Sequence, residues 1–265
     1  MEELYVFGTG NAQATRCYNT CFAIKDGDEF FMVDAGGGNG ILGILEKMNV
    51  DMAHIHHIFV THEHTDHILG IVWMVRMIAT AMKKGKYEGE LRIYCHPGLA
   101  DTISTLCRLT LQGKFYKMIG EQIFLIPVED GETVSILDYD VTFFDILSTK
   151  AKQFGFTMHL KNGKKFTCAG DEPYNPECKP YVEGSQWLLH EAFCLYGDRE
   201  RFQPYEKHHS TVKEACELAE SLSIPNLWHT EDKNLSHRKE LYTAEGKEYY
   251  HGNLLVPDDG EIIKL

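Results

Sequence analysis

Residues 54 to 70 read HIHHIFVTHEHTDHILG, and the six positions from His62 to His67 carry three histidines and one aspartate. The apolar residues before them have the length of a strand, and the apolar run after them has the length and spacing of a buried helix. The polar cluster therefore falls at the carboxyl end of a strand, at the entry to a helix, where open α/β folds place ligands. His62 and His64 are two apart and project to one side in extended backbone, while Asp66 and His67 can turn toward an adjacent point as the helix begins. Zinc takes imidazole nitrogen and carboxylate oxygen at about 2.0–2.2 Å, and this spacing suits one or two neighbouring ions. The competing reading is a solvated turn rich in histidine, since HIHH at 54–57 shows that the chain carries others. The density of ligand-type residues at a strand end favours a metal.

The flanking sequence supplies the rest of such a fold. ELYVFGTG reads as a strand stopped at Gly8 and Gly10, where the backbone can turn sharply. NTCFAIKDGDEFFMVDAGGG reads as two strands about a polar turn at Asp26 to Asp28, closed by Asp34 and a glycine run. ILGILEKM and ILGIVWMVRMIATAMKK read as helices and LRIYCH as a strand, and Pro97 suits the first turn of a following helix. From 121 to 168 the pattern is all strand: QIFLIPV, TVSILDYDVTFFDIL, FGFTMHL and KKFTCAG, the last two turned at Asn162 and Gly163. QWLLH is a further strand. A helix from about 211 is signalled by the capping box Thr211-x-x-Glu214 and by Val212, Ala215, Cys216, Ala219 and Leu222 at helical spacing. NLWH reads as the last core strand. This order predicts α/β architecture, two halves whose sheets pack face to face with helices outside. No Pro/Gly/Ser-rich linker separates the halves, so residues 1–265 read as one domain.

Charge narrows the partners. The 26 basic and 39 acidic residues give a net charge of −13, and the longest basic cluster is KKGK at 83–86. A nucleic-acid binder needs a basic stripe to displace counterions from phosphates, so a polyanionic substrate is disfavoured. A small phosphoester is not, because bound metal would override the global field. The eight cysteines show no CxxC and no zinc-ribbon spacing. MEELYVFGTGNA does not read as a signal peptide, and no run of about 18 apolar residues suggests a membrane span, so a cytoplasmic protein with reduced thiols is expected.

THEHTDHILG matches the HxHxDH signature of the metallo-β-lactamase-fold hydrolases. GTGNAQATRCYNT, FMVDAGGG, CAGD, LLHEAF, HHST and NLWHT resemble, in the same order, motifs of the tRNase Z branch. The resemblance implies the four-layer αββα sandwich and a hydrolase using metal-activated water. It implies His62 and His64 on one metal and Asp66 and His67 on the second, with Asp171 bridging and His229 as the second metal's last histidine. It also implies that Asp66 orients the nucleophile and that His209, held by Glu191, protonates a leaving group. The implied cofactor is zinc, one or two ions, with manganese or iron as alternatives, and relatives in the branch suggest a homodimer.

Two departures stand out. The branch expects one more histidine at a strand end before the bridging aspartate, and FFDILSTKAKQFGF has none. Leu147 occupies that place, with Ser148 and Thr149 adjacent, and His159 lies on the next strand. The long basic arm of the tRNA-processing members has no counterpart, since EPYNPECKPYVEG at 172–184 is short. The expected activity is therefore phosphodiester hydrolysis on a small molecule rather than tRNA. The alternatives are a thioester, lactone or β-lactam hydrolase on the same fold, or a non-catalytic member that lost its ligand at Leu147.

Overall fold

The computed structural model of the chain describes residues 2–231 and 235–265. Its strands in chain order are β1 (Glu3–Gly8), β2 (Cys21–Asp26), β3 (Glu29–Val33), β4 (Ile55–Phe59), β5 (Leu91–Cys95), β6 (Ile123–Pro127), β7 (Thr133–Ile136), β8 (Tyr139–Asp145), β9 (Phe154–His159), β10 (Lys165–Cys168), β11 (Trp187–Glu191), β12 (Asn226–Thr230), β13 (Asn253–Leu255) and β14 (Ile262–Lys264). The α-helices are α1 (Gly40–Lys47), α2 (Thr65–Lys83), α3 (Pro97–Thr110), α4 (Gly113–Tyr116), α5 (Lys179–Val182), α6 (Arg199–Phe202), α7 (Val212–Ser221) and α8 (Arg238–Gly246). The chain divides into two compact units, Met1–Gly8 with Tyr18–Glu129 and Asp259–Leu265, and Thr9–Cys17 with Asp130–Asp258. Both α/β halves expected from the order of elements are present.

The first unit is a seven-stranded sheet in the order β14-β1-β2-β3-β4-β5-β6. The hairpin expected at Asp26 to Asp28 joins β2 to β3, and β3 to β6 run parallel. Helix α2 buries Ile68, Ile71, Met74, Val75, Ile78, Ala79 and Met82, a stripe at the 3.6-residue period, in one cluster with Ile58 and Ile93 of the sheet. Each large side chain removed from water in this way contributes roughly 1.5–3 kcal/mol. Pro97 opens α3, with His96 as its cap.

The second unit is a seven-stranded sheet in the order β13-β12-β11-β10-β9-β8-β7. β10 to β13 are mutually parallel, and β7 to β10 form an antiparallel meander. Helices α7 and α8 place Val212, Ala215, Cys216, Ala219 and Tyr242 in one core with Leu188 and Leu227. The expected helix starts at Val212, and Glu214 reaches back to the Thr211 N–H at 2.8 Å, completing the capping box.

Two local expectations change. TVSILDYDVTFFDIL is a hairpin rather than one strand, because Leu137 and Asp138 both adopt left-handed backbone, with φ 51° and 66°, and so turn β7 into β8. NLWH is followed by α8 and by two further strands, β13 beside β12 and β14 beside β1. These short strands have little alternation to signal them. Among the described residues no helix is long and apolar enough to cross a membrane.

Candidate metal centre and catalytic pair

β3 and β4 are parallel with Val33 beside Phe59, so Asp34 and the segment from Val60 to His64 leave the first sheet together. Asp34 takes left-handed backbone, φ 55°, which aspartate tolerates better than most residues. Its buried carboxylate accepts from the Thr61 N–H at 2.8 Å through Oδ1, and from the Thr61 hydroxyl and His67 Nδ1, each at 2.8 Å, through Oδ2. An ionised carboxylate only accepts, so the His67 proton sits on Nδ1 and its Nε2 keeps a lone pair. The Thr61 hydroxyl spends its proton on Asp34 and therefore accepts from His62 Nδ1 at 2.9 Å. That fixes the His62 tautomer in the same sense, with its lone pair on Nε2.

The four residues of the opening cluster lie close together. His62 Nε2 lies 2.9 Å from His64 Nδ1, the His62 and His67 rings are 4.2 Å apart, and His67 Nε2 is 3.6 Å from Asp66 Oδ2. Asp66 sits in the first turn of α2, where the helix dipole favours a carboxylate. Helix α2 is held close to the Asp34 segment by the Ala35 N–H to the His67 carbonyl at 3.3 Å and by the Gly70 N–H to the Gly36 carbonyl at 2.8 Å. A Cβ at Gly70 would meet the Ala35 carbonyl oxygen at 1.9 Å, so only glycine permits this approach.

In the second unit, β10, β11 and β12 run parallel and end at one edge. Asp171 follows β10, Glu191 ends β11 and Glu231 follows β12, and all three are buried. Glu191 lies beside His209. Glu191 Oε1 accepts from the Ser210 N–H, and Oε2 lies 3.4 Å from His209 Nδ1, an ion-pair distance rather than a hydrogen bond. Phe193 stacks flat on the His209 ring, centroids 4.4 Å apart. The Phe193 N–H to the Ser210 carbonyl at 3.0 Å fixes this hairpin-like crossing.

Leu147 follows β8 in left-handed backbone, φ 61°, with 42% of its surface exposed. The residues after it are tied to the neighbours of two expected site residues. Ser148 donates to Glu172 at 2.6 Å, the Thr149 N–H reaches the same carboxylate at 3.2 Å, and the Thr149 hydroxyl meets His208 Nδ1 at 2.9 Å. His159 points outward from β9 as an exposed residue. His229 is placed differently from its expected role: its imidazole lies in the helix-side core, Nε2 3.6 Å from Cys216 Sγ, and burial pushes its pKa down to about 3. Sequence reasoning assigned no role to Asp34, Thr61, Glu172 or His208; for Asp34 the available signal was a carboxylate between a strand end and a glycine run.

A match to the Anti-Pycsar protein Apyc1 family extends over residues 2–241. The chain belongs to that family. A ribonuclease Z from Thermococcus sibiricus is 24% identical over 316 residues, covering 100% of this chain and 97% of that one. The metallo-β-lactamase fold protein YhfI from Bacillus subtilis superposes with a TM-score of 0.79 at 17% identity, covering 98% of both chains. A diphosphatase of the PhnP family superposes with a TM-score of 0.76 at 14% identity, covering 100% of this chain and 98% of that one. The fold is thus the α/β metallo-β-lactamase fold, the αββα class expected, and the chain lies in the tRNase Z-like branch of these metal-dependent hydrolases.

The residues present fit a divalent cation. Two nitrogens bound to one tetrahedral zinc at about 2.0–2.1 Å stand about 3.3 Å apart, close to the observed His62–His64 spacing. Both His62 and His67 have the outer nitrogen engaged by oxygen, the arrangement that orients metal-binding imidazoles.

Proposed function

We propose that the protein is a zinc-dependent phosphodiesterase acting on a small phosphoester rather than on tRNA, in the cytoplasm. The observation that carries this reading is the Asp34–Thr61 relay, which sets the tautomers of His62 and His67 so that lone pairs face the His64 and Asp66 side. His62, His64, Asp66, His67 and Asp171 would hold the metal, with Asp171 shared between ions if two are bound. A divalent ion supplies positive charge to the phosphoryl oxygens and makes water a usable nucleophile near neutral pH. Asp66 would orient that water by accepting a hydrogen bond from it. His209, flat on Phe193 with Glu191 facing its Nδ1, presents Nε2 to give a proton to the departing alkoxide.

A net charge of −13 and the short 172–184 segment favour a small substrate, and the likeness to a diphosphatase agrees with phosphoryl chemistry. The protein should be assayed, metal-stripped and metal-loaded, against bis(p-nitrophenyl) phosphate, small linear and cyclic phosphodiesters, precursor tRNA, and thioester, lactone and β-lactam substrates. Metal-dependent turnover of small phosphodiesters above the rest is expected. Preferential cleavage of precursor tRNA overturns the substrate class, and turnover confined to thioester, lactone or β-lactam overturns the reaction class. His209→Ala should slow alkoxide release by about 10²–10⁴-fold and nitrophenolate release far less, because nitrophenolate departs without a proton.

A further inference from the structure

Strand β11 sends its last two side chains to opposite faces of the second sheet. Glu191 turns to the Ser210 N–H and His209, while His190 shares the face of Leu188, which packs with Val212 and Ala215 of α7. His190 is only 1% exposed, and its Nδ1 lies 2.8 Å from the Glu191 carbonyl oxygen. A carbonyl only accepts, so the proton sits on Nδ1 and Nε2 carries a lone pair. That buried Nε2 has no hydrogen-bond partner among the described residues. An acceptor taken out of water in this way is costly unless something donates to it.

His190 borders a cavity of about 240 Å³ that lies wholly within the second unit, and its other walls include Tyr174, Tyr205, His209, Glu214 and Leu218. Glu214 and Leu218 are one turn apart on α7 and so present one face of it. The His209 N–H donates to the Pro204 carbonyl at 2.9 Å, which keeps Tyr205 beside His209.

The chemistry of this cavity is one-sided. At the start of α7 the N–H groups that could hold an anion are already taken: Ser210 by Glu191, Thr211 by Glu214 at 2.8 Å, and Val212 by the Cys194 carbonyl at 3.0 Å. Tyr205 donates its hydroxyl proton to Glu214 Oε1 at 2.6 Å, which leaves lone pairs on its own oxygen. His190 Nε2, the Tyr205 oxygen and the Glu214 carboxylate are therefore acceptors, set among aromatic and aliphatic walls. Such a space suits a flat, uncharged ring that donates hydrogen bonds. It is smaller than the roughly 300–1,000 Å³ of pockets that enclose drug-sized ligands, so it holds one ring.

We propose that this cavity binds the leaving-group alcohol of the substrate, and that His190 Nε2 selects alcohols whose ring bears an N–H or O–H donor. The assignment rests on the reading of the protein as a phosphodiesterase with His209 as proton donor, because His209 is the wall that the cavity shares with the departing oxygen.

The test compares methyl 3-aminobenzyl phosphate with methyl 3-methylbenzyl phosphate, whose leaving alcohols have nearly the same shape and differ in one donor group. Metal-loaded wild-type protein should favour the amino ester in kcat/KM by about 5–150-fold, the range expected when a buried acceptor is satisfied by one substrate and left bare by the other. His190→Asn keeps a donor near Nδ1 for the Glu191 carbonyl but offers nothing at Nε2, and it should bring the ratio to unity by slowing the amino ester alone. His190→Gln can place an amide oxygen near the Nε2 position and should restore the preference. A wild-type ratio near unity overturns the assignment whether or not the variants fold, and so does a preference that survives in folded His190→Asn protein. Titration of the free 3-aminobenzyl and 3-methylbenzyl alcohols, followed by ligand-observed NMR, reads the cavity without turnover; the amino alcohol should bind more tightly, and only while His190 is intact. That order of binding in a protein that cleaves neither ester brings down the phosphodiesterase reading and upholds the selectivity of the cavity. Equal cleavage of both esters does the reverse.

Discussion

Replacing Asp34 by asparagine should weaken metal binding by about 10–100-fold, equivalent to about 1.4–2.7 kcal/mol, although Asp34 is not a proposed ligand. The wild-type carboxylate accepts three hydrogen bonds at 2.8 Å, and an amide cannot accept all three. With the amide oxygen on the Thr61 N–H, the NH₂ group faces His67 Nδ1, and that nitrogen can accept only if its proton moves to Nε2. The lone pair offered to a cation is then lost. With the amide reversed, the NH₂ group confronts the Thr61 N–H, and two buried donors facing each other cost about 1–3 kcal/mol. Asparagine tolerates the φ of 55° at this position, so the backbone should hold. Competition against a chromophoric chelator near neutral pH, on protein whose fold is verified by near-UV circular dichroism, measures the effect. Wild-type affinity in folded Asp34→Asn protein, with only a lowered unfolding midpoint, would show that Asp34 braces the loop and sets no tautomer.

Asp171→Ala should reduce total bound metal more than His64→Ala does, because a shared carboxylate serves both ions; equal metal content in the two folded variants refutes the sharing. Leu147→His should raise metal content and turnover together. Leu147 is exposed, so an imidazole is not buried there, and histidine adopts the left-handed φ of 61° more readily than leucine does, so unchanged stoichiometry would refute the ligand position rather than report damage. Thiol titration of native protein in mildly alkaline buffer should give one fast-reacting group. Cys17 alone among the eight cysteines is not buried, while burial pushes the thiols of Cys95, Cys107 and Cys216 up to about 12. Several fast groups would refute that, and Cys17→Ser should abolish the fast phase.

What could be read in the chain was what neighbouring residues decide together. The hydrophobic period located α2, alternation located β2 and β3, and a capping box located the start of α7, since each signal lies within a few residues of its effect. The HxHxDH cluster was legible for the same reason: strand end, ligands and helix start occupy one short stretch. Asp34 was not, because its role depends on a carboxylate meeting an imidazole 33 positions later across parallel β3 and β4. Nothing local to FMVDAGGG announces that partner. The Thr149–His208 contact spans 59 positions and is equally silent in sequence.

His229 and Glu231 mark a sharper limit, because there the local rule gives a definite answer and the backbone alters it. NLWHT places a histidine at the end of an apolar strand, and by alternation every second residue faces the same way. The rule correctly puts Leu227 and His229 on one side of β12, yet it cannot say that this side is the one packed under α7, which depends on Cys216 and Tyr242. It then fails at Glu231, where left-handed backbone ends the strand and breaks the parity. Glutamate has no special preference for that conformation, so propensity offers no warning. A motif can therefore locate a strand end and still leave open which side of the sheet its last side chains take, because that is set by helices distant in sequence.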